Sequence, residues 1–385
     1  VLKIEILQYF AYLCSLGFLL MGTQINFKGL LHLCMFLLPM VTMGQNVVIK
    51  GGGVVVESST FLVVQGNLTV KEELTDGKIN LDGTILLNGD ITNETHDVVF
   101  NNQEATPDGW LVMPNSFAVQ RIKGITPISF ENLSLIGAEK RLENNNSSAN
   151  GYLRLNAVFN LNKRNFILNN KDYTALEYYG GYLFAETNSA DGIGSLQWNI
   201  SNNIGIYHIP FGSGQVDTSD IAIDYRPITA GGSTGGIVFS TYPTDNTNTP
   251  FPDLVFTMAP YQPMLTIDRY WLLDADSYSQ KPSSTFTLHY TDSDVGHGNN
   301  IVESKLKPIS YKSSDIQWVE YPLFDQDVSS HSMSVLNVNS NSFDKNWTMT
   351  SDNPSVDIYF PNAFSPDLNG DNETFKPVMD FIPKS

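Results

Sequence analysis

The chain has 385 residues, only 16% of them charged, and a formal net charge of −18. That length implies more than one domain, and the acidic balance without a Lys/Arg cluster excludes a nucleic-acid-binding surface. Its two cysteines, Cys14 and Cys34, both fall within the first 44 residues, so the rest of the chain can form neither a disulfide nor a thiolate metal site.

The first 44 residues carry a targeting pattern. Met21 heads a short stretch with one positive charge at Lys28, followed by the apolar run at 30–41 and then Thr42-Met43-Gly44 before Gln45. This is the order of a secretory signal, expected over 21–44, with 1–20 as upstream read-through. Apolar runs this short are poor membrane spans, so no stable span is expected in the processed chain.

From 45 to 190, short apolar strands alternate with turn residues, at a spacing of roughly seven up to about Phe100 and more loosely beyond it. Val54-Val55-Val56, Phe61-Leu62-Val63-Val64, Leu68-Thr69-Val70 and Ile85-Leu86-Leu87 are examples, with Gly66, Gly77, Gly83 and Gly89 in the gaps. A short constant period with glycine corners predicts β-solenoid coils, each burying its apolar face on the next. The stretch 144–150 reads as a polar loop. From 191 to 352 the strands lengthen and alternate strictly, as in Leu196-Gln197-Trp198-Asn199-Ile200 and Phe286-Thr287-Leu288-His289-Tyr290. Such alternation predicts a β-sandwich. Residues 244–252 form a turn-rich insertion, and 351–355 a domain boundary. The fold class is therefore all-β, with residues 353–385 starting a third β domain.

That last segment carries the most specific signal. Ile358-Tyr359-Phe360-Pro361-Asn362-Ala363-Phe364-Ser365-Pro366 leads into a Gly/Asp/Asn turn closed by Asn372-Glu373-Thr374-Phe375. It resembles the opening of the gliding-motility-associated C-terminal domain, although Leu368 stands where that family has Gly and Asp371 where it is apolar. The resemblance covers less than a tenth of the chain and only the beginning of such a domain. It implies export through the type IX secretion machinery of a gliding bacterium, an extracellular or outer-surface location, and a structural or adhesive role. The stretch from Gly180 to Gly212, with Tyr207-His208-Ile209-Pro210-Phe211, is similar to segments of surface proteins ending in such domains.

Little catalytic chemistry is legible. Gly231-Gly232-Ser233-Thr234-Gly235 satisfies the serine-hydrolase G-x-S-x-G spacing, but a strand follows it rather than the helix a nucleophile elbow opens. It reads as a turn. Gly51-Gly52-Gly53 likewise precedes a strand and cannot cradle a phosphate on a helix N-terminus. The six histidines lack metal-motif spacing. Asp367, Asn369, Asp371 and Glu373 place oxygens on alternating residues, a candidate calcium turn that departs from the EF-hand pattern. Trp198 and Trp271 read as core, whereas Trp110, in a loop beside Asp108 and Gly109, is the candidate exposed platform for a sugar. No enzyme activity is expected. The alternative is a carbohydrate-binding or polysaccharide-cleaving β-helix, which would show a groove of acidic and aromatic side chains along the coils.

Overall fold

A computed structural model of the chain describes residues 45–100, 108–186 and 192–352 except 217, 276 and 297, together with the backbone at 358–359 and 378–379. The signal segment 1–44 and the turn at 367–373 lie outside the described residues. Among the described residues no helix is long and apolar enough to cross a membrane.

The expected solenoid is present, with about six turns. Its coils contribute β1 (Val47–Lys50), β2 (Gly53–Val56) and β3 (Phe61–Val64), then β4 (Leu68–Lys71), β5 (Lys78–Leu81) and β6 (Thr84–Leu87). β7 (Ile91–Glu94) and β8 (Trp110–Met113) follow, then β9 (Gln120–Gly124), β10 (Ile128–Phe130) and β11 (Asn132–Ile136). The last full turns are β12 (Lys140–Leu142), β13 (Ser147–Ala149) and β14 (Leu153–Asn156), and β15 (Val158–Asn160), β16 (Asn165–Leu168) and β17 (Leu176–Tyr178). β18 (Tyr182–Phe184) and β19 (Ser195–Trp198) begin one more. Corresponding strands stack in parallel: β1-β4-β7-β9-β12-β15-β18 on one face, β3-β6-β8-β11-β14-β17 on another, and β2-β5 followed by β10-β13-β16-β19 on the third. At about 4.8 Å per coil, six turns make a stem roughly 30 Å long.

Period-two alternation inside each short strand explains the packing. Leu68, Val70, Ile79, Leu81, Ile85 and Leu87 all point inward and are essentially inaccessible. The abundant asparagines tie one coil to the next. Asn46 Oδ1 accepts from Asn67 N and Asn67 Oδ1 from Asp90 N, both at 2.8 Å, so each side chain satisfies a backbone donor one coil on. A second ladder joins Asn150, Asn169 and Asn199 through side-chain amides at 2.9 and 2.7 Å.

The same ladders explain one departure from expectation. Residues 147–149 lie within the stretch expected as a polar loop, yet Ser147–Ala149 is β13, paired in parallel with β10 and β16. Serine gives no apolar signal here. Neighbouring coils supply the backbone partners, and Ser148 Oγ donates to Ser129 Oγ at 3.0 Å.

Among the buried polar residues of the coils is a lysine. Lys140 stands in register with Gln120 and Phe159, is inaccessible, and donates from Nζ to the carbonyls of Asn115 and Ala138 at 2.9 and 2.8 Å. Burial pushes its ammonium down to about 8. The folded chain therefore holds fewer protons than the unfolded one between about pH 8 and 10.5, and stability rises across that window by up to about 3 kcal/mol. Lys140→Met removes the charge and is expected to flatten this rise; denaturant melts at pH 7.5 and 10 provide the check.

Beyond β19 the pairing turns antiparallel. β20 (Tyr207–Ile209), β21 (Ile223–Pro227), β22 (Ile237–Pro243), β23 (Arg269–Asp274) and β24 (Ser284–His289) come first, followed by a short helix α1 (Asp292–Gly296). β25 (Lys307–Lys312), β26 (Gln317–Glu320), β27 (Phe324–Asp327), β28 (Ser332–Val338) and β29 (Asn346–Thr350) complete the described body. The sheet β20-β21-β24-β28-β27 faces β19-β22-β23-β29-β25-β26 in the manner of a sandwich. Trp198, Tyr207, Tyr225, Phe239, Trp271, Phe286 and Trp347 fill the space between, all essentially inaccessible. The insertion after β22 covers the long sheet's outer face, where Val255, Met258 and Tyr261 pack with Tyr242, Tyr270 and Trp318.

Solenoid and sandwich share a strand. β19 pairs in parallel with β16 on one side and antiparallel with β22 on the other, so one nine-stranded sheet runs from the coils into the sandwich. The hydrophobic core is likewise unbroken, from Ile49 to Met349. Arg269 adds a polar lock. Its Nη1 pairs with Glu186, just beyond β18, and donates to Thr241 Oγ1 at 3.2 Å, while Nε donates to Asp294 Oδ1 in α1 at 3.0 Å. All three charged side chains are at least nine-tenths buried.

Candidate functional site

The β3-to-β17 face bears a cleft built across consecutive coils. Because Leu111 and Met113 point inward, Trp110 at the start of β8 points out. Register then places Asn132 beside Trp110, and Ser134, Arg154 and Glu177 in one row on β11, β14 and β17. Gly109 sets the approach of β8 to the coil below: a Cβ there would lie 1.9 Å from the Leu81 carbonyl oxygen.

Asp108, Trp110, Asn132, Tyr152, Arg154, Thr174 and Glu177 line the resulting cleft of about 530 Å³. The Trp110 and Tyr152 rings are 18° from parallel with centroids 6.5 Å apart. The Arg154 guanidinium carbon lies 3.8 Å from the Trp110 ring centroid, a cation–π contact. Arg154 Nε also donates to Glu177 Oε2 at 2.5 Å, and the Tyr179 hydroxyl donates to the same oxygen at 3.1 Å. Asn132 is spent on the scaffold: it donates to the Gly109 carbonyl at 3.0 Å and accepts from Tyr152 N at 2.8 Å. The cleft thus presents an indole with the Arg154 guanidinium on its face, the Tyr152 ring beside it, and Glu177 held by that same guanidinium.

Trp110 belongs to a strand rather than the expected loop, and it is half-buried. Tyr152, Arg154 and Glu177 carry no local sequence signal of this cleft because they lie two and three coils further along. Folding the sequence on its coil repeat of about twenty residues, as in Leu133 beside Leu153, sets Tyr152 in the row of Trp110 and Arg154 and Glu177 in the row two positions further along the same face.

Other motifs fall elsewhere. Gly231 to Gly235 form a turn before β22, so Ser233 sits on no elbow. Gly53 opens β2. Trp198 and Trp271 are core. His208 Nδ1 and His289 Nε2 flank Asp224 at 2.7 and 3.4 Å on the outer side of the five-stranded sheet. Burial alone would raise Asp224, but hydrogen bonds from His208 and His289 outweigh it and hold the carboxyl well below its ordinary range. Among the described residues no group of three or more His, Cys, Asp or Glu side chains could hold a metal ion. Asp367, Asn369, Asp371 and Glu373, the candidate calcium turn, lie outside the described residues.

Compared with family models, curated proteins and solved structures, the chain matches none.

Proposed function

We propose that this chain is the non-catalytic stem of an exported protein, held at the outer cell surface in a structural or adhesive role. The observation that carries this reading is the single sheet running from the solenoid through β19 into the sandwich. Two β units joined by a flexible linker move independently, whereas a shared strand and a continuous core transmit position and load between them. A composition of short polar turns with few charges suits a surface architecture that stands without disulfides. The segment from Ile358 to Phe375 supports delivery by the type IX machinery, because it resembles the opening of that system's sorting domain.

Export fixes where the processed chain begins. N-terminal sequencing of protein recovered from the surface or medium of the producing cells is expected to read from Gln45 or a residue close to it. Surface protein that retains residues 1–20, or a chain confined to the cytoplasm, would overturn the assignment.

A further inference from the structure

We propose that the cleft between Trp110 and Glu177 binds a neutral oligosaccharide, which rests on the adhesive role proposed above and names the ligand class it would engage. The cleft joins aromatic surface to directional polar groups, and Trp110, Arg154 and Glu177 among them stand on the parallel strand ladder. Sugar rings present apolar C–H faces alongside hydroxyls that both donate and accept. A protein matches them with aromatic surface flanked by carboxylate, guanidinium and hydroxyl groups.

Here Arg154 covers one face of the indole and fixes its plane, while the Tyr152 ring lies 18° from parallel to it with centroids 6.5 Å apart. Arg154 and Glu177 hold each other in place, so neither needs to be ordered when a ligand arrives. Thr174, turned by its bonds to Asp172 at 2.8 and 2.9 Å, and Asp108 complete the polar rim. The volume, about 530 Å³, suits two or three sugar rings within the usual range for small-ligand sites. Because Trp110, Asn132, Arg154 and Glu177 come from strands of adjacent coils, their spacing is set by the sheet, while Asp108, Tyr152 and Thr174 stand just before those strands.

Charge decides the class of sugar. Asp108 and Glu177 outnumber the one guanidinium of the cleft, in a chain of net charge −18. An anionic polymer, such as a polyuronate or a sulfated glycan, meets repulsion both at the site and from the whole molecule. A neutral hexose or pentose chain does not.

The test is calorimetric titration of the purified full chain with cello-, manno- and xylohexaose, with hexagalacturonate as the charged comparison. At least one neutral hexasaccharide is expected to bind saturably below about 1 mM, with Tyr152→Ala and Trp110→Ala each weakening it about tenfold or more. Trp110→Phe keeps an aromatic ring and is expected to retain most of the affinity, which separates loss of the platform from loss of the fold. Circular dichroism verifies that each variant is folded. No binding of any neutral sugar at millimolar concentration, equal binding by wild type and both alanine variants, or preference for hexagalacturonate would overturn the proposal. This titration uses purified protein, so its failure is distinguishable from a failure of surface export, which N-terminal sequencing reads.

Discussion

Arg269→Ala is expected to destabilise the fold by about 3–5 kcal/mol, the cost of leaving buried carboxylates without their counter-ion. Arg269 is 1% exposed, and Glu186 and Asp294 converge on it from the end of the solenoid and from α1. One guanidinium between two carboxylates leaves an excess negative charge in a dry place. Burial pushes Glu186 up to about 7, against the attraction of Arg269. The folded chain therefore retains a proton that the unfolded chain releases near pH 4.5. This contribution to stability is fully present below about pH 4.5 and is lost as pH rises through about 7, by about 3 kcal/mol at most. Glu186→Gln mimics the protonated form and is expected to flatten that slope. Urea denaturation of wild type, Arg269→Ala and Glu186→Gln at several pH values between 5 and 8 measures both effects. A loss below about 1 kcal/mol for Arg269→Ala would show that water reaches the pair.

Trp198→Ala is expected to cost a similar amount, about 3–5 kcal/mol, through a different mechanism. The indole fills the core under β19 with no accessible surface, meets Tyr207 edge-on at 4.9 Å, and donates from Nε1 to the Asn170 carbonyl at 2.8 Å. Truncation leaves a cavity under the strand that belongs to both halves and takes the indole donor from the Asn170 carbonyl just after β16. The loss is therefore expected to lower one common transition rather than melt the sandwich alone. Calorimetry checks this: two separated transitions in the variant, with the solenoid's unchanged, would contradict it.

The solenoid was legible because its signal is local. Leu68, Val70, Ile85 and Leu87 alternate inside four-residue strands, and the corner glycines mark where one strand ends. Ser147–Ala149 was not legible, since its strand character comes from β10 and β16 rather than from its own side chains. The dual role of β19 was hidden for a related reason. Leu196, Trp198 and Ile200 announce one buried face, but nothing in that alternation says that one neighbour runs parallel and the other antiparallel. Of the cleft, only Trp110 stood out, as an aromatic beside turn residues. Arg154 and Glu177 look like ordinary solvated charges until the coil repeat brings them to the same face.

The continuity of stem and sandwich is most directly tested by native-state hydrogen exchange of the full chain, followed by mass spectrometry of peptides. Strands β14 and β16 in the last coils and β22 and β23 in the sandwich are expected to exchange through one shared global opening, with matching free energies and matching dependence on denaturant. Coils that exchange fully while β22 and β23 stay protected would contradict a single continuous body.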